Sequence, residues 1–360
     1  MTTLFDKLKI GNTELKNRIV YAPMTRSRAD DAGVQPEIAV EYYSQRASAG
    51  LIITEATNVS AMAKGYVRTP GIYTAEQIES WRKVTDAVHE KGGKIFMQIF
   101  HTGRIALPDF LPENVQPVAP SAVKANGQNY TDDGMKDFVE PRELTTDEIK
   151  QIIKDFAKSA KNAVDAGFDG VELHGANGYL VQQFLATNTN QRTDEYGGSL
   201  ENKSRFLLEV LDAMIAEIGD HRTGLRLSPG GEFNDMKETD SAELYDYAVK
   251  ELNKRNLAYL HIGTFDPNKN WHPVVRPIYD GVYFAGVGFD RDSGAKLLAE
   301  NGADAIVYGT KFLANPDLPE RFAGNAELNV PDESTFYTPG EKGYTDYPTL
   351  AEAKSEGIGG

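Results

Sequence analysis

Residues 171–180 read Val171-Glu172-Leu173-His174-Gly175-Ala176-Asn177-Gly178-Tyr179-Leu180. Alternation along a strand places Val171 and Leu173 on one face and Glu172 and His174 on the other. His174 therefore ends a strand on its polar face, and Asn177 and Tyr179 follow at once in the loop. Two hydrogen-bond donors and a phenol able to deliver a proton meet at one strand terminus. A capped strand end with a surface Tyr stands beside that functional reading.

The same unit repeats along the chain. Upstream, a helical pattern over 146–166 opens on Thr145-Thr146-Asp147-Glu148, a capping signal, and stops at Gly167. Short apolar runs with strand character lie at residues 19–23, 51–56, 94–101, 168–174, 223–228, 259–263, 281–287 and 304–309. Helical patterns alternate with them at 36–49, 75–91, 146–166, 204–218, 240–255, 291–301 and 311–323. Buried strands alternating with helices imply a parallel sheet, because parallel strands need crossover connections. Eight strands point to closure, giving an α/β fold made of one (β/α)8 TIM barrel as a single domain over 1–360; a doubly wound open sheet is the alternative. Two segments break the alternation. Residues 1–18 read as a hairpin (7–10, turn Gly11-Asn12, 14–17) that would cap the bottom of the barrel. Residues 102–145, after strand three, hold five Pro and many polar residues, as a lid-like excursion at the catalytic face would.

The 360 residues include no Cys, which removes disulfide scaffolds, thiolate metal sites, iron–sulfur clusters and Cys nucleophiles together. A formal charge of −15 argues against nucleic-acid and anionic-membrane partners. No apolar run approaches the roughly 20 residues of a membrane span, and the start has no signal-peptide stretch, so a cytoplasmic protein is expected.

Other polar residues fall near strand ends: Thr25, Gln98, His101 and Arg226. Arg226, between Leu225 and Leu227, needs a partner: either a buried carboxylate such as Glu172 or an anionic or polar ligand. Strands seven and eight end Ala285-Gly286-Val287-Gly288 and Tyr308-Gly309-Thr310. Glycines there suit either tight turns or the phosphate site that such barrels build after their last two strands.

Taken in order, the motifs resemble the Old Yellow Enzyme family of FMN-dependent ene-reductases over nearly the whole chain. The matching pieces are Leu4-Phe5-Asp6, Lys16-Asn17-Arg18-Ile19, Ala22-Pro23-Met24-Thr25-Arg26, Thr54-Glu55-Ala56-Thr57, and Gln98 through His101-Thr102-Gly103-Arg104. The 174–180 stretch runs on into Asn190-Gln191-Arg192-Thr193-Asp194-Glu195-Tyr196-Gly197-Gly198, and Ala314-Asn315-Pro316-Asp317-Leu318 and Gly343-Tyr344-Thr345-Asp346-Tyr347-Pro348 follow.

The resemblance implies non-covalent FMN across the top of the barrel, no metal, and NADPH or NADH as reductant in ping-pong turnover. It assigns Pro23, Met24, Thr25 and Ala56 to the flavin, with Thr25 tuning its potential, and Gln98 and Arg226 to the pyrimidine edge. Gly286, Val287, Gly288, Gly309 and Thr310 would take the phosphate. His174 and Asn177 would grip the carbonyl or nitro oxygen of an electrophilic alkene (an enone, enal, maleimide or nitroalkene). Hydride passes from flavin N5 to the β-carbon, and Tyr179 protonates the α-carbon. Tyr66 and Tyr337 would flank the substrate. The protein would be a monomer or homodimer.

The chain also departs from the pattern. The family usually reads Gly-Arg after strand eight, with the Arg on the phosphate, where this chain has Gly309-Thr310; Lys311 or Thr310 would stand in. The 286–290 stretch is atypical, and the 264–273 loop, with Trp271 and His272, is expected to shape the substrate pocket. Rival readings are a barrel acting mainly on nitro compounds or nitrate esters, a flavin store, and a phosphosugar aldolase or isomerase. The last lacks the mid-strand lysine that a Schiff base needs.

Overall fold

A closed barrel has an inner and an outer surface to fill, and strand alternation decides which side chains go to each. The computed structural model describes residues 1–355; the remainder of the expected 1–360 domain, residues 356–360, lies outside the described residues. Its barrel strands are β1 (Ile19–Tyr21), β2 (Leu51–Ile53), β3 (Ile95–Phe100), β4 (Gly170–Gly175), β5 (Thr223–Leu227), β6 (Tyr259–Gly263), β7 (Tyr283–Gly286) and β8 (Ala305–Tyr308). Each pairs in parallel with the next, and β8 pairs with β1, so the sheet closes and no edge is left. The open-sheet alternative is thereby excluded.

The inner surface is stacked in storeys. The lowest holds Val20, Leu51 and the rings of Phe96, Tyr259 and Phe284, with Ile10 and Leu15 of the N-terminal hairpin packed against them. That hairpin pairs Leu8–Ile10 with Thr13–Leu15 and plugs the lower end as expected. Room for three rings comes from glycine. A Cβ at Gly170 would sit 2.4 Å from the Phe96 ring, and one at Gly224 would sit 2.6 Å from the Tyr259 ring. The Tyr259 and Phe284 rings stack at 4.1 Å. The next storey is polar: Gln98 Nε2 donates to Glu172 Oε1 at 2.7 Å, and His261 Nδ1 lies 3.0 Å from Glu172 Oε2. Above it, His174 of β4 is in register with Arg226 of β5.

The outer surface takes the other half of each strand. Val171, Leu173, Leu225 and Leu227 pack under helices Thr146–Asp165 and Leu200–Ile218, against Phe156, Phe206 and Val210. Helix Thr146–Asp165 opens with the capping box foreseen at Thr145 and Glu148. Two helices differ from the sequence reading. The one expected over 204–218 begins at Leu200, because Ser199 caps it by accepting from the Asn202 N–H. The one expected over 311–323 is two helices, Thr310–Ala314 and Leu318–Gly324. Pro316 forces Asn315 out of helical geometry, to φ −129° and ψ 89°. Short helices at Leu180–Leu185, His272–Val275 and Leu350–Ser355 carried no sequence signal strong enough to read. Among the described residues no helix is long and apolar enough to cross a membrane.

The 102–145 excursion consists of single turns, a two-residue parallel pair (Val118–Ala119 with Arg142–Glu143) and a hairpin, Gln128–Thr131 with Gly134–Asp137.

Two stability predictions follow from this interior. G224A crowds the Tyr259 ring and should cost ~1–3 kcal/mol through overpacking; a thermal midpoint lowered by several degrees is expected, and an unchanged one would show that the ring storey is not tightly filled. His101, His174, His261 and His272 are all buried. Burial pushes each below the ordinary histidine value, to about 3 for His101 and about 4 for His272. The unfolded chain takes up these protons near pH 6.5 while the native chain does not. Their contribution is therefore complete above that pH and is lost as pH falls below it. Glu55, Asp155 and Glu238, raised by burial, oppose this with three groups against four. The thermal midpoint should be lower at pH 5.5 than at pH 7.5; equal midpoints would contradict burial of the four as neutral rings.

Candidate active site

β4 delivers His174 to the upper rim and the chain then turns sharply, with Asn177 at φ 57° and Gly178 at φ 76°. Asn is among the few side chains that tolerate the left-handed region, and the turn is secured from three sides. The Asn177 N–H donates to Ser228 Oγ at 2.9 Å, and the Gly178 N–H donates to Gln182 Oε1 at 2.8 Å. The Asn177 carbonyl accepts from Asn234 Nδ2 at 2.8 Å. Gln182 is itself held by the half-buried Glu238, whose carboxyl lies 2.8 Å from its Nε2. The Asn177 side-chain amide is left without a protein partner among the described residues, its Oδ1 buried.

His174 Nδ1 accepts from the Ala176 N–H at 3.2 Å, so in the neutral ring the proton sits on Nε2. Neutral is the state that burial, with Arg226 and His261 nearby, enforces: all three hold the imidazole well below its ordinary value. Tyr179 stands edge-on to the His174 ring at 4.9 Å and to Phe100 at 5.2 Å. Its hydroxyl is 2.9 Å from the Tyr66 hydroxyl. Burial and then the neighbouring Tyr66 push the Tyr179 phenol well above its ordinary value, while burial pushes Tyr66 up to about 12. Both keep their protons at neutral pH.

Two cavities open at this rim. One, of about 360 Å³, brings Thr25, Tyr66, Tyr179 and Tyr337 together with Phe233 and the hairpin of the 102–145 excursion. The other, of about 390 Å³, is lined by Pro23, Met24, Arg226, Gly286, Val287 and Gly288, then by Gly309, Thr310 and Lys311, with His261 and Phe265 added. Ala56, Gln98, His174 and Asn177 line neither, and the first three are buried.

The partner of Arg226 is now decided. Both Glu172 oxygens are taken by Gln98 and His261. Among the described residues Arg226 makes no ion pair, its Nε is buried without a partner, and its nearest stacking neighbour is the Phe265 ring at 5.8 Å. Burial lowers its affinity for a proton while Glu172 supports it. An uncompensated buried guanidinium facing a cavity is a ligand site in search of an acceptor. Lys311 adds a second cation, and no acidic side chain lines that cavity. In a chain of formal charge −15 this is the reverse of the average surface, and it selects an anion. Val287 at φ 75°, costly for a β-branched residue, and Gly288 at φ 83° curl the backbone after β7 at the same place.

Sequence reasoning missed Ser228, Gln182, Asn234 and Glu238, which shape the turn from other segments; only Ser228, at the end of strand five, carried any positional signal. The expectation for Trp271 and His272 is corrected. Both are buried, Trp271 against Tyr245 with its Nε1 donating to Asp266, and His272 against Tyr283 and Phe289. They brace the 264–273 loop, and its Phe265 reaches a cavity instead, the one holding Arg226.

Comparison with known proteins agrees with this geometry. The family model described as NADH:flavin oxidoreductase / NADH oxidase family matches residues 3–329. The chain is 47% identical to 12-oxophytodienoate reductase 1 of Oryza sativa subsp. japonica over 98% of this chain and 94% of the relative. Morphinone reductase in complex with tetrahydroNAD superposes with a TM-score of 0.94 at 46% identity, covering 97% of this chain and 98% of that one. The Old Yellow Enzyme homologue of Zymomonas mobilis gives a TM-score of 0.94 at 42% identity, over 97% of this chain and 100% of the other. A closed barrel, a cationic cavity at its rim and a polar trio beside it thus carry the signature of one group of enzymes: the chain belongs to the NADH:flavin oxidoreductase / NADH oxidase family and is an FMN-dependent oxidoreductase that draws its electrons from NAD(P)H.

Proposed function

We propose that the chain reduces carbon–carbon double bonds activated by a carbonyl or nitro group, with FMN in the cavity of Arg226 and Lys311 and the alkene in the cavity of Tyr179. The observation that carries this reading is the convergence of three groups of complementary chemistry at one strand end: the His174 Nε2–H, the Asn177 amide and the Tyr179 phenol.

The residues present fit FMN. The orphaned Arg226 guanidinium suits the pyrimidine edge, where negative charge collects on reduction, and Gln98 on the neighbouring storey offers its carbonyl oxygen there. Gly286 to Gly288, Gly309, Thr310 and Lys311 suit the phosphate. Pro23 and Met24 of that cavity, with the buried Ala56 and with Thr25 of the adjoining cavity, would hold the ring. Bound FMN supplies the hydride chemistry.

His174 donates from Nε2, and Asn177 from its amide nitrogen, to the substrate oxygen that gains negative charge as the alkene is attacked. Because His174 is held neutral, it polarises that oxygen without protonating it. The strongly raised Tyr179 phenol donates only to a strong base, and the carbanionic α-carbon is one. Its ring, pinned by His174, Phe100 and Tyr66, cannot swing away. Small-molecule electrophilic alkenes, whatever their chain length, and NAD(P)H are then the partners of a cytoplasmic monomer or homodimer, with no role for nucleic acid or membrane; the −15 charge supports this.

Two experiments test the assignment. Y179F should slow the reduction of 2-cyclohexenone by roughly 10²- to 10⁴-fold, the usual worth of a general acid. Bleaching of the flavin band by NADPH should survive; equal loss in both half-reactions, followed by stopped-flow absorbance, would remove Tyr179 from the role of acid. K311A should weaken FMN binding by about tenfold or more, the scale of one charge-assisted hydrogen bond, and T310R should tighten it. Flavin titration of the apoprotein that moves with neither substitution would place the phosphate elsewhere.

A further inference from the structure

The hairpin of the 102–145 excursion is built inside out. Its buried face is polar: Asn129 Nδ2 donates to the Gly65 and Ile105 carbonyls at 2.6 and 3.1 Å, and Thr131 Oγ1 donates to the Gly134 carbonyl at 2.9 Å. Its other face carries Tyr130 and Met135, directly opposite one another across the two strands. They are 50% and 57% exposed. A two-stranded hairpin gains nothing in stability from an apolar pair with no layer to pack on. Two further residues repeat the anomaly from elsewhere in the chain: Phe233, in the loop after β5, at 58%, and Tyr337, beyond the barrel, at 60%.

All four line the cavity that holds Thr25 and Tyr179, and no Lys, Arg, Asp or Glu lines it with them. Scattered exposed hydrophobics are ordinary, but four of the ten large ones exposed among the described residues meet at this mouth. Of the polar trio of the proposed reaction Tyr179 lines this cavity, with the His174 ring edge-on to it at 4.9 Å, and the apolar rim shares the cavity with it.

We infer that the rim formed by Tyr130, Met135, Phe233 and Tyr337 is a subsite for an extended, uncharged apolar substituent of the alkene substrate. The inference rests on the alkene-reductase reading above and names its substrate class: long-chain or bulky hydrocarbon-bearing enones rather than small ones. Each methylene laid on the rim leaves water, and full burial of one corresponds to ~4-fold in binding.

The test uses the purified holoenzyme, NADPH and a homologous series from 3-penten-2-one through 3-hepten-2-one and 3-nonen-2-one to 3-undecen-2-one. The kcat/KM should climb by about 2- to 4-fold per methylene, through KM more than kcat. An enone of the longest length ending in a carboxylate should lose most of the gain. The double variant Y130S/M135S, and independently F233S from a separate segment, should flatten the climb while each keeps its bound-flavin spectrum and thermal midpoint. The inference is overturned if 3-penten-2-one is reduced but kcat/KM does not vary along the series. It is equally overturned if the climb is as steep in both variants as in the parent. Light scattering that finds a dimer in the parent and a monomer in Y130S/M135S would overturn it too, showing the rim to be covered by a second copy. Failure of every enone, 3-penten-2-one included, would sink the alkene-reductase reading itself and this inference with it.

Discussion

A carboxylate inside a barrel cannot stay charged without partners, and Glu172 finds two, one on each side. Gln98 comes from β3 and His261 from β6, so this single group ties together strands on either side of β4 at one level of the interior. Much above that level depends on the arrangement. Glu172 supports the charge of Arg226 without a hydrogen bond to it, and the guanidinium lines the cavity. Buried polar networks of this kind are tolerated only when satisfied; here satisfaction of one member leaves another open for a ligand.

The same division runs through the electrostatics of the rim. The protein as a whole repels anions, yet it sets two cations and no acid around one cavity, and no charge at all around the adjoining one. A charged cofactor and a neutral acceptor can therefore occupy neighbouring spaces without competing for the same groups. His174 lines neither space; burial strips it of charge and leaves it only its Nε2–H to offer.

The barrel was legible because its signal is local and repeated: apolar runs punctuated by Gly, capped helices between them, and a count of eight. His174, Asn177 and Tyr179 were legible for the same reason, lying within six residues on a strand and its turn. What could not be read depends on register between distant strands. Whether Glu172 meets Arg226 or His261 is set by which residues stand level around the ring, and nothing in either local sequence states it. Gln182, Asn234 and Glu238 escaped notice because they reach the Asn177 turn through side chains from three other stretches. Trp271 and His272 were misread since large polar aromatics in a loop look alike whether they brace the loop or face a ligand. The break at Asn315 is a different kind of miss, for Pro316 was in plain view.

The hairpin over the cavity of Tyr179 is fastened by Asn129 to the backbone carbonyls of Gly65 and Ile105, groups that any residue presents. Its attachment thus makes no demand on the identity of the side chains at positions 130 and 135. Those positions are free to drift while the polar trio, locked into the barrel and its turn, is not. A lineage carrying this architecture can change the molecules it accepts one outward residue at a time, leaving the chemistry untouched at every step.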